Sequence, residues 1–402
     1  MKLESDTLCR LGRQTYYIVD IDIIGSNFRD LRSIVGSQVK IAAVLKADAY
    51  GHGAVAVAGV LLAEGADMLA VATLSEAIEL RVHFPEPAIL VMGHTPDEFA
   101  GIAARYRIMP TVFDLPNARA FSDAAKAAAV VLPIQVKLDT GMNRLGMKPY
   151  ENPVGIIKAI SGLPGLEIAG VFTHLALRDH DSDLAQFALY QETLAACGKL
   201  GIRIGLRHVC DSIGMVRYPG FRLDMVRVGA ALFGVRPNRM GPECNAFPFP
   251  LAGTLVTRIA RLRRLAEGEM VSYDDSWKAP KGGTLIATLP VGYADGYPRR
   301  FGNKAEVVIR GQRAPVVGLV CMDQTMVDVG NVREVREGDE VILLGGGAIS
   351  LGEAAEWGST NRNEILCGIG RRVPRVYIRD QKVVSFDNRL SGSTLENIRS
   401  PE

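Results

Sequence analysis

Reactive side chains stand at the ends of several short apolar runs of this 402-residue chain. Lys46 closes the run VKIAAVL, and tyrosine, glycine and histidine follow it within LKADAYGHGA. A lysine in this position is either a solvated strand end or a reactive amine directed into a site. Its position alone does not separate the two interpretations.

The same pattern recurs at the ends of later runs. Groups that could act as bases or as ligands for an anion follow these runs: Lys137, Asp139, His174, His208, Asp211, Ser212, Arg227 and Gly229. Each of them alone is explained equally well by a salt bridge or a turn. In a parallel (β/α) barrel, however, the carboxyl ends of all strands meet at the face that carries the active site. Their recurrence therefore favours a site over a set of unrelated strand ends.

The elements that would position these groups are short β-branched runs alternating with longer helix-like segments between residues 17 and 235. The runs are YIVDID, VKIAAVLK, MLAVAT, AILVMG, IMPTVF, LPIQVKLD, IAGVFTH, LRHVCD and MVRVGAALFG. This alternation predicts an α/β fold with an N-terminal (β/α)8 TIM-type barrel rather than an open sheet. Between the runs, residues 183–198 have the spacing of a helix, with Leu184, Phe187, Ala188, Leu194 and Ala195 on one face and Asp183 as its cap.

The alternation ends in the proline- and glycine-rich stretch GVRPNRMGPECNAFPFPLAG, residues 234–253. Short runs with frequent turns follow, such as TLIATLPVGYA and EVILLGGG, and their spacing is typical of an antiparallel barrel or sandwich. We therefore predict a barrel domain over residues 1–245, a C-terminal, mostly antiparallel β domain over 246–385, and a frayed polar tail over 386–402.

Composition argues against several classes of protein. The 46 basic and 44 acidic residues nearly balance, and no long basic stripe is present, so we expect no nucleic-acid partner. The N-terminus lacks the apolar core of a signal peptide, and no segment reaches the roughly 18 apolar residues that span a membrane. We expect a cytoplasmic protein with no membrane partner. The six cysteines have no CxxC spacing, which indicates reduced thiols.

A metal site is the alternative use of the segment RDHDSD, which contains His180, Asp181 and Asp183. A capping turn at the start of a helix explains these residues more simply. The sequence therefore predicts no metal.

Eight segments resemble, in order, the signature segments of the alanine racemase family. They are AVLKADAYGHGA, VKLDTGMNRLG, FTHLA, RVGAALFG, VSYDD, VGYADGYPRR, CMDQTMVDV and RRVPRVY. The resemblance extends over both predicted domains. It implies a pyridoxal-phosphate enzyme that interconverts L- and D-alanine, the latter for peptidoglycan, and a homodimer whose active sites combine residues from both subunits. A racemase of the same family that prefers serine or another amino acid is the alternative.

Two catalytic groups follow from this resemblance. Lys46 would bind pyridoxal phosphate as an imine and then move the substrate's α-proton on one face, and the partner's Tyr273 would serve the other face. Racemisation needs both, because a carbanion that is reprotonated only from the side of deprotonation returns the starting enantiomer. The ordinary pKa values of these groups, about 10.4 and 10, require tuning by neighbours.

The resemblance also implies how the cofactor would be held. Arg227 would donate a hydrogen bond to the pyridine nitrogen, and His174 would link Arg227 to Tyr273. Because arginine does not give up its proton, the ring nitrogen would stay unprotonated. The groups implied for the phosphate are Tyr50, Ser212 and the backbone N–H groups of Gly229 and Ala230.

On the substrate side, Arg144 and the backbone of the partner's Met322 would hold the carboxylate. Lys137 matches a lysine that is often carbamylated in this family. As an anion it would orient Arg144, and unmodified it would repel it. Tyr293 and Asp323 would line the entrance.

Four positions depart from the family's pattern. Arg371 stands just before RVPR, where many members have a tyrosine that reaches the phosphate, and a guanidinium can bind phosphate through two bonds. Asp211 replaces an asparagine, and Asn143 and Asp274 replace glycines. We expect these changes to affect the range of substrates rather than the type of reaction.

Overall fold

The computed structural model describes residues 5–236 and 249–390. The strands are β1 (Tyr16–Asp20), β2 (Lys40–Val44), β3 (Met68–Val71), β4 (Ile89–His94), β5 (Met109–Val112), β6 (Leu132–Lys137), β7 (Leu166–Phe172), β8 (Leu206–His208), β9 (Met225–Val228), β10 (Gly253–Arg258), β11 (Arg261–Leu265), β12 (Thr284–Leu289), β13 (Glu306–Ile309), β14 (Gln312–Pro315), β15 (Thr325–Asp328), β16 (Glu340–Leu344), β17 (Arg375–Arg379) and β18 (Lys382–Asp387). The helices are α1 (Ser5–Leu11), α2 (Ile21–Val35), α3 (Lys46–Gly51), α4 (Ala54–Ala63), α5 (Leu74–His83), α6 (Ala100–Arg105), α7 (Leu115–Ala127), α8 (Pro153–Ser161), α9 (His180–Lys199), α10 (Gly214–Arg217), α11 (Leu351–Gly358) and α12 (Arg362–Cys367).

Strands β2 to β9 form one parallel sheet in the order β8-β7-β6-β5-β4-β3-β2-β9. Backbone hydrogen bonds from Asp224 N to Arg207 O (3.1 Å) and from Arg227 N to Cys210 O (3.0 Å) join the region of β9 to that of β8 and nearly close the sheet into a barrel. Every residue of β3, β5 and β9 is buried, as expected for parallel strands covered on both faces. The predicted barrel is confirmed.

The first apolar run lies outside the barrel. β1 pairs antiparallel with β10 and parallel with β17, so it is part of the C-terminal sheet. The prediction that YIVDID supplies a barrel strand is therefore wrong. A run such as this, in which Tyr16, Tyr17 and Val19 are fully buried, suits any sheet covered on both faces, and its composition does not say which neighbour it pairs with.

The C-terminal part contains two sheets, which are mostly antiparallel as predicted. The larger has the order β14-β13-β16-β10-β1-β17-β18 and the smaller β11-β12-β15. β18 continues to Asp387, and the Asn388 side chain donates to Leu11 O (2.8 Å). Residues 386–389 are thus packed rather than frayed. The predicted boundary between residues 245 and 246, and residues 391–402 of the tail, lie outside the described residues, and the predicted domain division stays a prediction.

The RDHDSD segment forms the start of α9. Asp179 is the N-cap and accepts from Ser182 N (2.8 Å), so the helix begins before Asp183. Asp183 is fully buried and accepts a hydrogen bond from the Tyr218 hydroxyl (2.8 Å). Its predicted role as the cap is therefore wrong, because its carboxylate makes a tertiary contact.

Within residues 5–236 and 249–390, no group of three or more histidine, cysteine or acidic side chains is arranged to hold a metal ion. In the same ranges no helix is long and apolar enough to cross a bilayer. The described cysteines are free thiols: Cys9, Cys197, Cys210, Cys321 and Cys367.

Candidate active site

A cavity of about 670 Å³ opens at the carboxyl ends of the barrel strands. The predicted site residues that line it are Lys46, Tyr50, Lys137, Arg144, His174, Ser212, Arg227, Gly229 and Ala230. Its other charged lining residues are Arg236, Arg362 and Asp211. Six cationic side chains against one carboxylate, among the described residues of this wall, make the cavity attractive to an anion.

Lys46 begins a left-handed turn. The four residues after it, Ala47 to Tyr50, have φ between 53° and 55° and ψ between 40° and 49°. An L-residue in this conformation costs roughly 1–2 kcal/mol, so contacts elsewhere must hold the turn in place. Lys46, directly before these four residues, and Tyr50, the last of them, both line the cavity.

The Lys46 amine is placed so that its charge is disfavoured. Burial, together with the nearby Arg144 guanidinium, lowers its pKa below the usual value for lysine. A lowered pKa increases the fraction of the lysine present near neutral pH as the neutral amine, which is the form that acts as nucleophile and base. The carboxylate of Glu76 accepts from Ala47 N (2.7 Å) and fixes the backbone next to Lys46.

Arg227 is a buried guanidinium whose donors are directed at fixed acceptors. Nη1 donates to His208 Nδ1 (2.8 Å), and Nη2 donates to the carbonyls of Thr173 and Val209 (both 2.9 Å) and, at 3.4 Å, to His174 Nδ1. Because a guanidinium only donates, each Nδ1 is an acceptor, and each neutral ring carries its proton on Nε2. Burial, with Arg227 nearby, lowers the pKa of His174 to about 4 and that of His208 well below its usual value.

A second polar residue supports Arg227 from inside the barrel. His208 Nε2 donates to Gln135 Oε1 (3.0 Å), and the His208 ring stacks on Phe172 with centroids 4.9 Å apart. Gln135 was not identified from the sequence. The available signal is a glutamine in the middle of the buried run LPIQVKLD, because a buried amide needs a partner.

Tyr50, Ser212 and Gly229 converge on one part of the cavity. Ser212 Oγ accepts from Gly229 N (3.0 Å), and a Cβ added at Gly229 would lie 2.6 Å from the Tyr50 hydroxyl. Only glycine therefore leaves room for this hydroxyl. Burial raises the pKa of Tyr50, which keeps it a hydrogen-bond donor. Two hydroxyls beside a close backbone suit an anion such as a phosphate.

The loop that carries Arg144 is organised by Asp139. Its carboxylate accepts from the backbone N–H groups of Gly141 (3.0 Å), Asn143 (3.0 Å) and Arg144 (2.9 Å). Burial opposes ionisation, but the N–H groups of Asn143 and Gly141 outweigh it and lower the pKa of Asp139. Arg144 is thus presented to the cavity from a fixed backbone.

Lys137 lies in the same wall and is 6% exposed. Burial and the neighbouring Arg227 and Arg144 lower its pKa to about 8. A sizeable fraction of this amine is therefore neutral at slightly alkaline pH.

The other predicted residues form a separate group on the C-terminal sheets, here named the tyrosine face: Tyr273, Tyr293, Met322 and Asp323. Their loops are joined by hydrogen bonds from Tyr293 N to Cys321 O (3.0 Å), Ala294 N to Met322 O (3.0 Å) and Ser272 Oγ to Leu319 O (2.6 Å). Tyr273 is 61% and Met322 53% exposed. None of the four residues of the tyrosine face lines the cavity at the barrel mouth of this chain.

Arg371 does not lie where it was predicted. Its side chain is exposed and is not part of the cavity wall. The preceding segment, Asn361, Arg362 and Asn363, lines the cavity instead. The contact between Arg371 and a phosphate is therefore not supported, because the position just before RVPR faces solvent. These three residues were not identified from the sequence, because their polar composition resembles that of any loop.

The other departures from the family pattern fit the backbone. Asn143 and Asp274 have φ of 58° and 62°, in the left-handed region that asparagine and aspartate tolerate better than most residues. Asp211 Oδ1 accepts from Ile213 N (3.0 Å) and Gly214 N (2.8 Å), so its carboxylate orders the segment that follows Ser212.

Known proteins resemble the chain over almost its whole length. The alanine racemase N-terminal domain matches residues 19–237, and the alanine racemase C-terminal domain matches residues 252–377. An alanine racemase of Desulforamulus reducens is 40% identical over 363 residues, which are 90% of this chain and 98% of that protein.

Solved structures agree. The alanine racemase of Bacillus anthracis with bound L-Ala-P superposes with a TM-score of 0.87 at 34% identity, covering 94% of this chain and 98% of that one. That of Bartonella henselae, with covalently bound pyridoxal phosphate, gives 0.81 at 28% identity and covers 91% and 99%. Both parts of the fold thus resemble the same group of enzymes. The chain belongs to the alanine racemase family, whose members interconvert L- and D-alanine.

Proposed function

We propose that this protein racemises alanine with pyridoxal phosphate bound at Lys46, and with Lys46 and the partner's Tyr273 as its two bases. The observation that carries the proposal is the convergence of Lys46, Arg227 and the Tyr50–Ser212–Gly229 group in one cationic cavity. We also propose that it acts in the cytoplasm and supplies D-alanine for peptidoglycan.

The cavity suits this cofactor at three points, which are its phosphate, its covalent bond to a lysine and its ring nitrogen. Tyr50, Ser212 and the backbone at Gly229 would hold its phosphate, with the start of the short 3-10 helix Ala230–Phe233 beside them. Lys46 would provide the covalent bond, which its lowered pKa favours. When bound, pyridoxal phosphate withdraws electrons from the substrate's α-carbon and so makes the α-proton acidic.

Arg227 would face the ring nitrogen of the cofactor. Its donors are anchored by His208, the carbonyls of Thr173 and Val209, and His174, so its position is fixed before anything binds. As a permanent donor it would keep the ring nitrogen unprotonated and limit the withdrawal of electrons. His174, which accepts from Arg227 through Nδ1, has its Nε2 proton available for a hydrogen bond with the second base.

The two bases would work from opposite sides of the α-carbon. The Lys46 amine accepts or returns the proton on one side, and the hydroxyl of the partner's Tyr273 does so on the other. The tyrosine face is exposed and lies outside the cavity of its own subunit, which supports its being supplied to a second copy of the chain. The protein would therefore act as a homodimer with shared sites.

Arg144 would hold the substrate carboxylate together with the backbone of the partner's Met322. Lys137, when carbamylated, would face Arg144 as an anion and orient it, since its neutral amine can take up CO₂ and release a proton. Tyr293 and Asp323 of the tyrosine face would line the entrance. Asp323 accepts from Arg372 Nη2 (2.7 Å), which fixes its carboxylate.

The test is to incubate the purified protein with L-alanine, L-serine or L-lysine in deuterated water and follow optical rotation and α-deuteration. We expect L-alanine to lose its rotation and gain α-deuterium fastest. Faster reaction of serine would establish the serine-preferring alternative. If the cofactor absorbance is present and no amino acid loses chirality, the proposal is wrong.

A further inference from the structure

The left-handed turn after Lys46 is bound to the other end of the chain. Arg389, two residues beyond the end of β18, donates from Nη2 to Asp48 Oδ1 at 2.6 Å. The same guanidinium donates from Nε to Asp387 Oδ2 (3.2 Å), and its Nη2 lies 3.8 Å from Glu79 Oε1. Three carboxylates thus surround one cation next to the turn.

Asp48 passes this contact on to the backbone. Its Oδ1 also accepts from Ala54 N (2.8 Å), the first residue of α4, and so joins the turn to the start of that helix. The side chains of Asp48 and Arg389 are only 18% and 20% exposed. With little water available to either charge, loss of one partner leaves the other poorly solvated, and the interaction is stronger than that of an ordinary surface pair.

Residues of the C-terminal sheet hold the opposite side of the turn. Arg375 Nε donates to Gly51 O (3.0 Å), and His52 Nδ1 lies 3.0 Å from the carbonyls of both Ala49 and Tyr50. Nδ1 must carry the ring proton to face two carbonyls, and burial, which lowers the pKa of His52 to about 4, keeps the ring neutral.

The neutral ring leaves His52 Nε2 as the acceptor for the hydroxyl of Tyr17 on β1, at 3.0 Å. The exit of the turn is equally close to this sheet. Gly53 has a φ of 91°, and a Cβ there would collide with the Tyr377 hydroxyl on β17. Strands β1 and β17 therefore fix the Gly51–Gly53 segment that follows the turn. In the first half of the turn, Glu76 holds Ala47 N, and Arg389, in the segment after β18, holds Asp48.

We propose that Arg389 is a positioning residue for Lys46: by holding Asp48, it keeps the turn left-handed and so directs Lys46 and Tyr50 into the cavity. The inference rests on the proposed role of Lys46 as the cofactor lysine. Four consecutive L-residues have no local preference for this conformation, so the turn depends on such outside contacts. Arg144, which would bind the substrate carboxylate, is held by a different loop, so the effect should fall on kcat more than on KM.

The test compares Arg389→Ala with a matched control, Arg379→Ala. Arg379 ends β17 and pairs with Asp22 at 3.7 Å, on the same sheet but away from the turn. In the full-length holoenzyme we expect the amides of residues 47–54 to exchange hydrogen about tenfold faster in Arg389→Ala, with kcat about tenfold lower and KM within about threefold. Arg379→Ala should match the wild type. Arg389→Lys keeps the positive charge but not the several donors of the guanidinium, so its exchange rates and kcat should lie between those of the wild type and of Arg389→Ala.

Two results would overturn the inference. One is a rate of hydrogen exchange at residues 47–54 of Arg389→Ala that is unchanged, or that rises no more than in the rest of the chain. The other is faster exchange at residues 47–54 without a fall in kcat. Should Arg389→Ala not fold, Arg389→Lys and Asp48→Asn decide by the same measurements. The exchange measurement needs no substrate, so it tests whether Arg389 holds the turn through Asp48 even if Lys46 turns out to have another role.

Discussion

The cavity wall at the barrel mouth and the tyrosine face differ in how much of their surroundings one chain provides. Arg227 and Lys137 are almost fully buried, and each Arg227 contact goes to a residue of the same barrel. Tyr273 and Met322 are more than half exposed. Folding of a single chain completes the first group, whereas the second still offers its side chains to another surface.

This contrast explains why several of the proposed site residues at the barrel mouth have shifted pKa values. Burial lowers the pKa values of Lys46, Lys137 and His174, and the positive charges of neighbouring arginines lower them further. In the proposed reaction, folding of one chain thus surrounds one base, whereas the other base would be enclosed when two chains assemble.

The largest expected effect comes from the buried group. Lys46→Ala should reduce racemisation by roughly 10⁴-fold or more, because it removes both the covalent bond to the cofactor and one base. The variant should also lose the absorbance of the bound imine and the fixation of cofactor by borohydride. Lys40→Ala, which changes an exposed lysine at the start of β2, is the control. Fixed cofactor in Lys46→Ala would contradict the assignment.

Removal of the exposed base should have a smaller and more selective effect. Tyr273→Phe is expected to slow racemisation by about 10²- to 10⁴-fold, the usual contribution of one general acid–base group. The enantiomer that gives its α-proton to Lys46 should still exchange that proton with deuterated water, while the other enantiomer should not. Tyr150→Phe, at a residue that is 83% exposed, is the control. Equal exchange of both enantiomers would rule out the two-base scheme.

Mixing these two variants tests whether the two groups meet across subunits. A dimer of one Lys46→Ala chain and one Tyr273→Phe chain has one site with both residues intact and one with neither. Equal amounts, unfolded and refolded together, should recover roughly a quarter of the wild-type rate, since about half of the dimers are mixed and each has one active site of two. If each site were built from a single chain, mixing would restore nothing.

The buried part of the comparison was the more predictable from sequence. Eight of the nine apolar runs overlap β2 to β9, because strands covered on both faces are continuous apolar stretches. The remaining run, YIVDID, forms β1 and is just as apolar. It lies in the other sheet, because composition does not encode which strand a run pairs with. In α9, three residues of the predicted apolar face are exposed: Leu184, Ala188 and Ala195. Gln186 is buried instead, and its Oε1 accepts from Ala176 N.

The local geometry of the site was not predictable in the same way. The turn after Lys46 is left-handed although none of its four residues is a glycine, and its anchors, Glu76, Arg375 and Arg389, lie 29 to 341 residues away along the chain from the residues they bind. Likewise, Asn361 to Asn363 reach the cavity only because of how α12 packs. Motifs identify which residues react, but distant contacts decide how they are presented.

The smallest expected effect concerns Lys137, whose carbamate would orient Arg144. A carbamate forms when the neutral amine attacks CO₂ and loses a proton. With a folded pKa of about 8 instead of 10.5, Lys137 is mostly protonated below about pH 7 and mostly neutral above about pH 9. With labelled bicarbonate, the carbamate signal in NMR should therefore grow as pH rises through about 8 and should be absent in Lys137→Gln.

The consequence for activity should be confined to substrate binding. Without CO₂, or in Lys137→Gln, the KM for alanine is expected to rise about three- to tenfold, because Arg144 loses the anion that orients it. Lys158→Ala, at an exposed lysine of α8, should change neither the signal nor KM. A carbamate signal that appears only near pH 10.5 would show that the barrel mouth does not lower this pKa, and burial of Lys137 among the cations of the cavity wall would have no chemical consequence.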